Sequence, residues 1–350
     1  MTTTDAPPSR PVADERVASV GLLKRLLVKP ELGALVGAVV VFAFFAAQSS
    51  VFVSPAGIAN WLDPASTLGI MACAVALLMI GGHFDLSAGV MTGTSALTVG
   101  IVSVQFETSI WVGIAVALVI TLAVGFLNGF LVVRTGLPSF IITLGSFLML
   151  QGLNLGLTKL FTGTVNAGGI GATDGFDSAE AVFASTVTIA GQPFRIAILW
   201  WVLFTALATW VLLKTRFGNW VFATGGDEVA SRNVGVPAAR TTITLFMTTA
   251  AAAWFVGVVY AVRQTSVQAN VGIGNELIYI VAAVIGGCLL TGGFGSAIGA
   301  SLGALIFGMT QQGIVYLRYD SDWFFFFLGA MLLLAVLTNR AIRRYAEARR

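Results

Sequence analysis

The chain has 350 residues, of which 57% are hydrophobic and only 10% are charged. Soluble domains carry about 25% charged residues, so this composition excludes a water-soluble globule. The apolar runs are long and uncharged, which predicts an all-α polytopic membrane protein and argues against a β-barrel, whose strands give a much weaker hydropathy signal. The net charge is +3, and the basic residues lie between and beyond the apolar runs, as in a membrane protein. No nucleic-acid partner is therefore expected.

The uncharged runs divide the chain into three parts. Residues 1–30 contain Pro, Ser, Asp and Arg, which predicts a disordered cytosolic arm and not a signal peptide. A transmembrane domain is expected over residues 31–340, followed by a basic cytosolic tail at 341–350. The predicted spans lie at 32–53, 65–80, 86–106, within 108–133, within 135–158, at 196–213, at 241–262, twice within 277–317, and at 323–337.

The stretch 277–317 decides the number of spans. It is uncharged and about twice as long as the 20 or so residues that one span needs, and the paired glycines at 291–296 mark a turn inside it. About ten spans follow, with both termini in the cytosol. In this arrangement the outside holds only four of the 19 lysines and arginines, as the positive-inside rule requires: Lys159, Arg195, Arg263 and Arg318.

Two polar loops interrupt the spans. The loop at 214–240 falls on the cytosolic side, and the loop at 159–195 on the outside. The outer loop either contacts an extracytoplasmic partner or is simply solvated, with a short interfacial helix near 178–185. A shorter feature is an internal echo between 81–89 (GGHFDLSAG) and 292–299 (GGFGSAIG), which suggests two related halves, as in many transporters.

Motifs for catalysis are missing from the sequence. It contains no Walker A motif and no H-E-x-x-H, so no catalytic residue, metal site or bound cofactor is expected. Cys73 and Cys288 lie in apolar runs and are interpreted as small buried residues. The single His83 has no partners with which to build a metal site.

Polar residues inside the spans are candidates for a translocation path. Asp85 is the strongest, because charge within a membrane is costly and usually functional. It precedes Ser87 at a span junction, so either residue also suits the N-cap of the following helix. The polar uncharged residues within spans either line a polar path or hydrogen-bond between helices; they are Asn128, Gln151, Asn154, Gln311 and Gln312. The first three are assigned to the path together with Asp85 and Ser87. Both interpretations stay open.

The loop at 214–240 carries a recognisable pattern. TRFGNWVFATGGDEVASRNVGV resembles the cytosolic coupling segment of permeases from ABC sugar importers of the ribose/xylose/arabinose type, approximately R-x-G-x-x-x-x-A-x-G-G-N-x-x-A-A-x-x-x-G-I. Asp227, Ser231 and Val236 depart from it. FDLSAG at 84–89 and the glycine-rich 282–308 agree with the same family. The matching positions are Arg216, Gly218, Ala223, Gly225, Gly226, Ala230 and Gly235.

The resemblance implies a ten-span inner-membrane permease of the ABC importer fold, in a homodimer or paralogous heterodimer. Cytosolic ATPase subunits would hold ATP and magnesium, and an extracytoplasmic binding protein would deliver a monosaccharide or related polyol. Independently, 227–233 predicts a short helix with Asp227 and Glu228 at its positive end and Arg232 near its other end. Gly235 and Pro237 would end it. Two alternatives are an ABC permease for branched-chain amino acids or nucleosides, and an ion-coupled carrier that uses Asp85.

Overall fold

The computed structural model describes residues 30–348, so residues 1–29 of the predicted arm lie outside the described residues, as do 349 and 350 of the tail. The helices in this range are α1 (Pro30–Gln48), α2 (Pro55–Ile80), α3 (Ala88–Gln105), α4 (Ile110–Thr135), α5 (Ser139–Thr162), α6 (Phe176–Phe183), α7 (Ala197–Lys214), α8 (Arg216–Gly226), α9 (Glu228–Asn233), α10 (Ala238–Gln264), α11 (Asn275–Ile285), α12 (Ala297–Tyr316) and α13 (Phe324–Ala348). The strands are β1 (Asn166–Ala167), β2 (Thr186–Ile189), β3 (Gln192–Arg195) and β4 (Val267–Gln268).

The all-α polytopic fold class is confirmed. Eight helices of the described chain are long and apolar enough to cross a membrane, namely α1 to α5, α7, α10 and α12. The eighth and tenth predicted spans correspond to shorter apolar helices, α11 and the first part of α13. At about 1.5 Å per residue, the 11 residues of α11 reach about half-way across a hydrocarbon core of about 30 Å.

Four helices form the centre of the protein. Helices α2, α3, α10 and α12 are mostly buried, whereas α1, α5 and α7 turn most of their surface outward. Helix α12 packs against α2, and its Gly299 and Gly303 lie against the backbone of α11 at Gly286 and Ala282. This close approach is what the small residues at 295–304 predict. Cys73 and Cys288 are both buried and free, as expected.

The helices have two distinct ends. At the end that contains α9, which we call the α9 end, the C-terminus of α2 meets the α11–α12 connection, where Gly293 N donates to Ile80 O at 2.8 Å. At the outer end, Arg263 of α10 donates to Asp63 of α2 at 2.6 Å, and Asn60 donates to the Tyr316 hydroxyl at 2.9 Å. The predicted loop at 214–240 lies at the α9 end and the loop at 159–195 at the outer end, on opposite sides as the span count requires.

The outer loop is more structured than the sequence indicates. Helix α6 coincides with the interfacial helix expected near 178–185, and its Phe183 packs on Phe255 of α10 with ring centroids 5.4 Å apart. The antiparallel hairpin β2–β3 follows, and β1 pairs with β4 across a long sequence separation. The loop is therefore packed onto the helices at one side and is not merely solvated.

Candidate functional site

The polar segment at 214–240 folds into two short helices. Only the second was predicted. Thr215 is extended, and its hydroxyl accepts from Gly218 N at 3.2 Å, which starts α8 directly after α7. A Cβ at Gly218 would overlap the carbonyl oxygens of Val211 and Leu212, so this glycine lets α8 fold back against the end of α7. Arg216 lies exposed in the first turn.

Helix α9 is the predicted short helix. The Asp227 carboxylate caps it by accepting from Ala230 N at 2.9 Å, and Glu228 forms an ion pair with Arg232 one turn later. The acids therefore lie at the positive end of the helix dipole and the arginine near the negative end. Gly235, with a φ of 85°, ends the segment in a left-handed conformation that favours glycine.

The outward surface of α9 combines charge with exposed apolar side chains. Val229 is 71% exposed, and Val234, directly after the helix, is 79% exposed. Asp227 and Arg232 are exposed beside them. Solvent-exposed apolar side chains beside charged groups are typical of a surface that binds another protein.

Behind α9, three glycine-containing turns meet in what we call the glycine junction: Gly82, Gly225, Gly226, Gly292 and Gly293. A Cβ at Gly225 would overlap the carbonyl oxygen of Ile80. A Cβ at Gly292 would lie 2.7 Å from Gly82 Cα, and one at Gly293 would lie 2.9 Å from Gly226 Cα. At Gly225, Gly292 and Gly293 there is no room for a methyl group, and the two halves of the internal echo touch each other here.

The glycine junction joins α9 to the centre of the fold. It is formed by three backbone segments: the end of α8, the end of α2 and the connection between α11 and α12. Close-packed backbone of this kind has little room to yield. The arrangement is therefore suited to carry movement from the surface into the spans.

A groove of about 600 Å³ runs beside α9. The α2–α3 turn, the α4–α5 turn and Glu228, Val229 and Arg232 of α9 line it. His83 lies in its wall, with Nε2 3.1 Å from the Thr242 hydroxyl. Burial lowers the pKa of His83, and nearby Glu228 acts in the opposite direction. The neutral imidazole is therefore favoured as a hydrogen-bonding group in this wall.

Three of the five predicted path residues form one hydrogen-bond chain. Ser146 donates to Asn128, Asn128 Nδ2 donates to Ser87 Oγ at 3.0 Å, and the Ser87 hydroxyl donates to Asp85. Asp85 also accepts from Ser87 N at 2.8 Å, so it stabilises the turn before α3, and Ser87 occupies the N-cap position. These hydrogen bonds connect the turn before α3 to Asn128 of α4 and Ser146 of α5.

The other two path residues lie farther along α5. Asn154 is buried and its amide reaches Val90 O at 3.5 Å, and Gln151 is half-buried near the same level. None of the five lines the polar cavity that the structure contains at the outer end, which includes Asp63, Arg263 and Asn275. The cavity does include Gln311 and Gln312, which the sequence marks as polar residues within a span. The predicted second span begins at residue 65, so Asp63 falls outside it, whereas the structure places Asp63 within α2.

The Asp85 turn yields a first prediction. Asp85→Asn should leave thermal stability and uptake close to wild type, because the amide keeps the oxygen that Ser87 uses. Asp85→Ala should lower the free energy of unfolding by about 1–3 kcal/mol, because the buried Ser87 N–H and hydroxyl would lose their acceptor. Thermal unfolding of the purified protein and uptake assays measure both. Loss of uptake in Asp85→Asn with stability unchanged would instead support an ion-coupling role for this carboxylate.

These features define a class of protein: a polytopic membrane permease with a projecting helical segment that packs against the ends of its central helices. The chain belongs to a family described as the branched-chain amino acid transport system / permease component, whose model matches residues 57–336. Family membership and the eight spans confirm the expected location, a multi-pass protein of the bacterial plasma (inner) membrane.

Curated relatives agree with the resemblance drawn from the motifs. The chain is 30% identical to the galactose/methyl galactoside import permease protein of Escherichia coli (strain K12), with 87% of this chain and 93% of the relative covered. It is 30% identical to the ribose import permease protein of the same strain (88% and 93%) and to the autoinducer 2 import system permease protein of Salmonella typhi (92% and 89%). No solved structure matches the chain.

Proposed function

We propose that this chain is the membrane permease of an ATP-driven, binding-protein-dependent importer of a monosaccharide or related polyol. The observation that carries the proposal is the projecting α9, which lies directly on the glycine junction and exposes Val229, with Val234 exposed just after the helix. Such a helix is suited to dock into a cleft on a separate ATPase. The sugar cargo is supported by the names of the relatives, which are import permeases for galactosides, ribose and autoinducer 2.

The proposal assigns a part to each partner. Cytosolic ATPase subunits bind ATP and Mg²⁺ and press on Arg216, on Asp227 to Arg232 and on the glycines that hold this segment. The glycine junction passes that movement to α2 and the α11–α12 connection, which switches the permease between outward- and inward-open states. A binding protein docks at the outer end, where α6 and the β2–β3 hairpin lie. A second permease copy completes the path, and membrane lipid surrounds the two copies.

Uptake in reconstituted vesicles tests this function. Vesicles that contain the permease, its ATPase subunits and its binding protein should accumulate either labelled D-ribose or labelled D-galactose when ATP is supplied, and should not accumulate L-leucine. Accumulation of leucine alone would favour the amino-acid alternative. Accumulation that continues without the ATPase would contradict the proposal.

A charge on α9 gives the second prediction. Arg232→Glu should lower ATP-driven uptake about fivefold, because one exposed charge pair at an interface is worth up to about 1 kcal/mol. Thermal stability should stay unchanged, since the pair with Glu228 is exposed. Arg318→Glu, at an exposed arginine of the outer end, is the matched control for ATPase docking. Normal uptake in Arg232→Glu would remove this residue from the contact.

A further inference from the structure

A polar cavity of about 730 Å³ lies at the outer end, away from α9 and the glycine junction. Its volume falls within the range of small-molecule sites, about 300–1,000 Å³. Five helices contribute to it: α2, α10, α11, α12 and α13. The polar side chains in its wall include Asn60, Asp63, Arg263, Asn275, Gln311 and Gln312.

The charges in this wall compensate each other. Asp63 is the one carboxylate among the lining residues and Arg263 the one guanidinium, and they are joined at 2.6 Å. Both side chains are largely screened from solvent. Because the two charges cancel, the lining carries no net charge that would attract a cation or an anion, and a zwitterion would compete with the existing pair. The electrostatics therefore favour a neutral occupant.

The hydrogen-bonding groups in the wall are only partly used. Asp63 Oδ1 and Gln311 Oε1 are buried and have no hydrogen-bond partner among the described residues. A buried acceptor left unpaired costs about 1–3 kcal/mol, so such groups usually serve a ligand or an ordered water. An alkyl chain of a lipid offers no donors, so it would not stabilise this wall.

Aromatic rings complete the lining. Phe307 and Phe324 pack edge to face with centroids 4.9 Å apart, and Phe325 lies beside them. The half-length helix α11 begins at the cavity with Asn275, and interrupted helices frequently form the binding sites of transporters. Amide and carboxylate groups next to aromatic faces match a small molecule that carries hydroxyls on one side and C–H groups on the other.

We propose that this cavity binds the neutral, hydroxyl-rich cargo as it enters the permease, with Gln311 and Asn275 hydrogen-bonding to its hydroxyls. The inference rests on the proposed function, because it assumes a sugar or polyol as cargo. It also extends that function: the permease itself selects neutral hydroxylated molecules, and the selection is not left to the binding protein alone.

Direct binding to the full-length permease in lipid nanodiscs tests the site without any partner. Labelled D-ribose and D-galactose are the probes, with L-leucine as the zwitterionic comparison and empty nanodiscs as the blank. Gln311→Met and Asn275→Leu keep side-chain volume and remove a hydrogen-bonding amide. Each should weaken the binding of the preferred sugar about threefold to tenfold, which is the loss of one hydrogen bond. Leucine should not bind measurably.

The control is Gln105→Met, the same substitution at an exposed glutamine at the end of α3. It should bind sugar as wild type does, and all three variants should unfold near the wild-type temperature. Sugar affinity unchanged in both cavity variants would overturn the inference, as would a wild-type permease that binds neither sugar. Failure of the proposed function is seen separately, in ATP-supplied vesicles of the complete transporter that accumulate neither sugar.

Discussion

Gly225→Ala is expected to abolish ATP-driven uptake. A methyl group at this position would overlap the carbonyl oxygen of Ile80, which is backbone and cannot rotate away. Replacing glycine by alanine near a helix end gains up to about 1 kcal/mol in helix propensity, whereas forcing atoms into a packed site costs about 1–3 kcal/mol or more. The steric cost wins, so the end of α8 must move away from α2 and the glycine junction opens. Vesicle uptake and thermal unfolding measure the two consequences.

The adjacent glycine supplies the control for this substitution. A Cβ at Gly226 meets nothing within 4 Å, so Gly226→Ala should fold with wild-type thermal stability. The two variants differ only in whether the added methyl group points into the junction. Wild-type uptake by Gly225→Ala would show that the junction is not needed to transmit movement, and the proposed coupling route would then be wrong.

Val229→Asp is expected to lower uptake by about tenfold to a hundredfold without destabilising the isolated permease. Val229 is 71% exposed, so the fold gains little from it. If the side chain is buried on an ATPase surface, its removal forfeits about 1.5–3 kcal/mol of contact, and 1.4 kcal/mol is a factor of ten. Co-purification of the ATPase subunits with the permease should fall in parallel with uptake.

Val51→Asp is the matched control for Val229→Asp. Val51 is 52% exposed in the connection between α1 and α2, at the outer end of the molecule. It should leave ATPase co-purification unchanged. Equal loss in both variants would indicate a general effect of the added charge, and unaltered co-purification in Val229→Asp would remove α9 from the docking surface.

Local chemistry made α9 predictable. The Asp227 cap, the Glu228–Arg232 spacing and the stop at Gly235 all act within one or two turns, so the sequence contains the whole argument. The spans were predictable for a similar reason, since a bilayer demands about 20 apolar residues in a row. Where an apolar run served a shorter element, as at α11, length alone indicated a full span in place of the observed half.

Contacts between distant segments were not predictable in this way. The five glycines of the glycine junction come from three parts of the chain, and their shared role depends on backbones that approach after folding. Asp63 and Arg263 are likewise 200 positions apart, and only the packing of α2 beside α10 makes them a pair. Nothing in either local sequence distinguishes an unpaired loop charge from one member of a half-buried pair.

The sequence by itself determined the membrane class, the approximate spans, the family resemblance and the short capped helix, because hydropathy, capping and motif spacing are properties of neighbouring residues. The tertiary structure alone decided that α9 rests on a backbone junction beneath it and that a neutral, polar cavity lies at the opposite end. Both depend on helix packing, which brings together groups whose separation along the chain carries no signal. The segment at 214–240 and the cavity thus lie at opposite ends of α2 and α10.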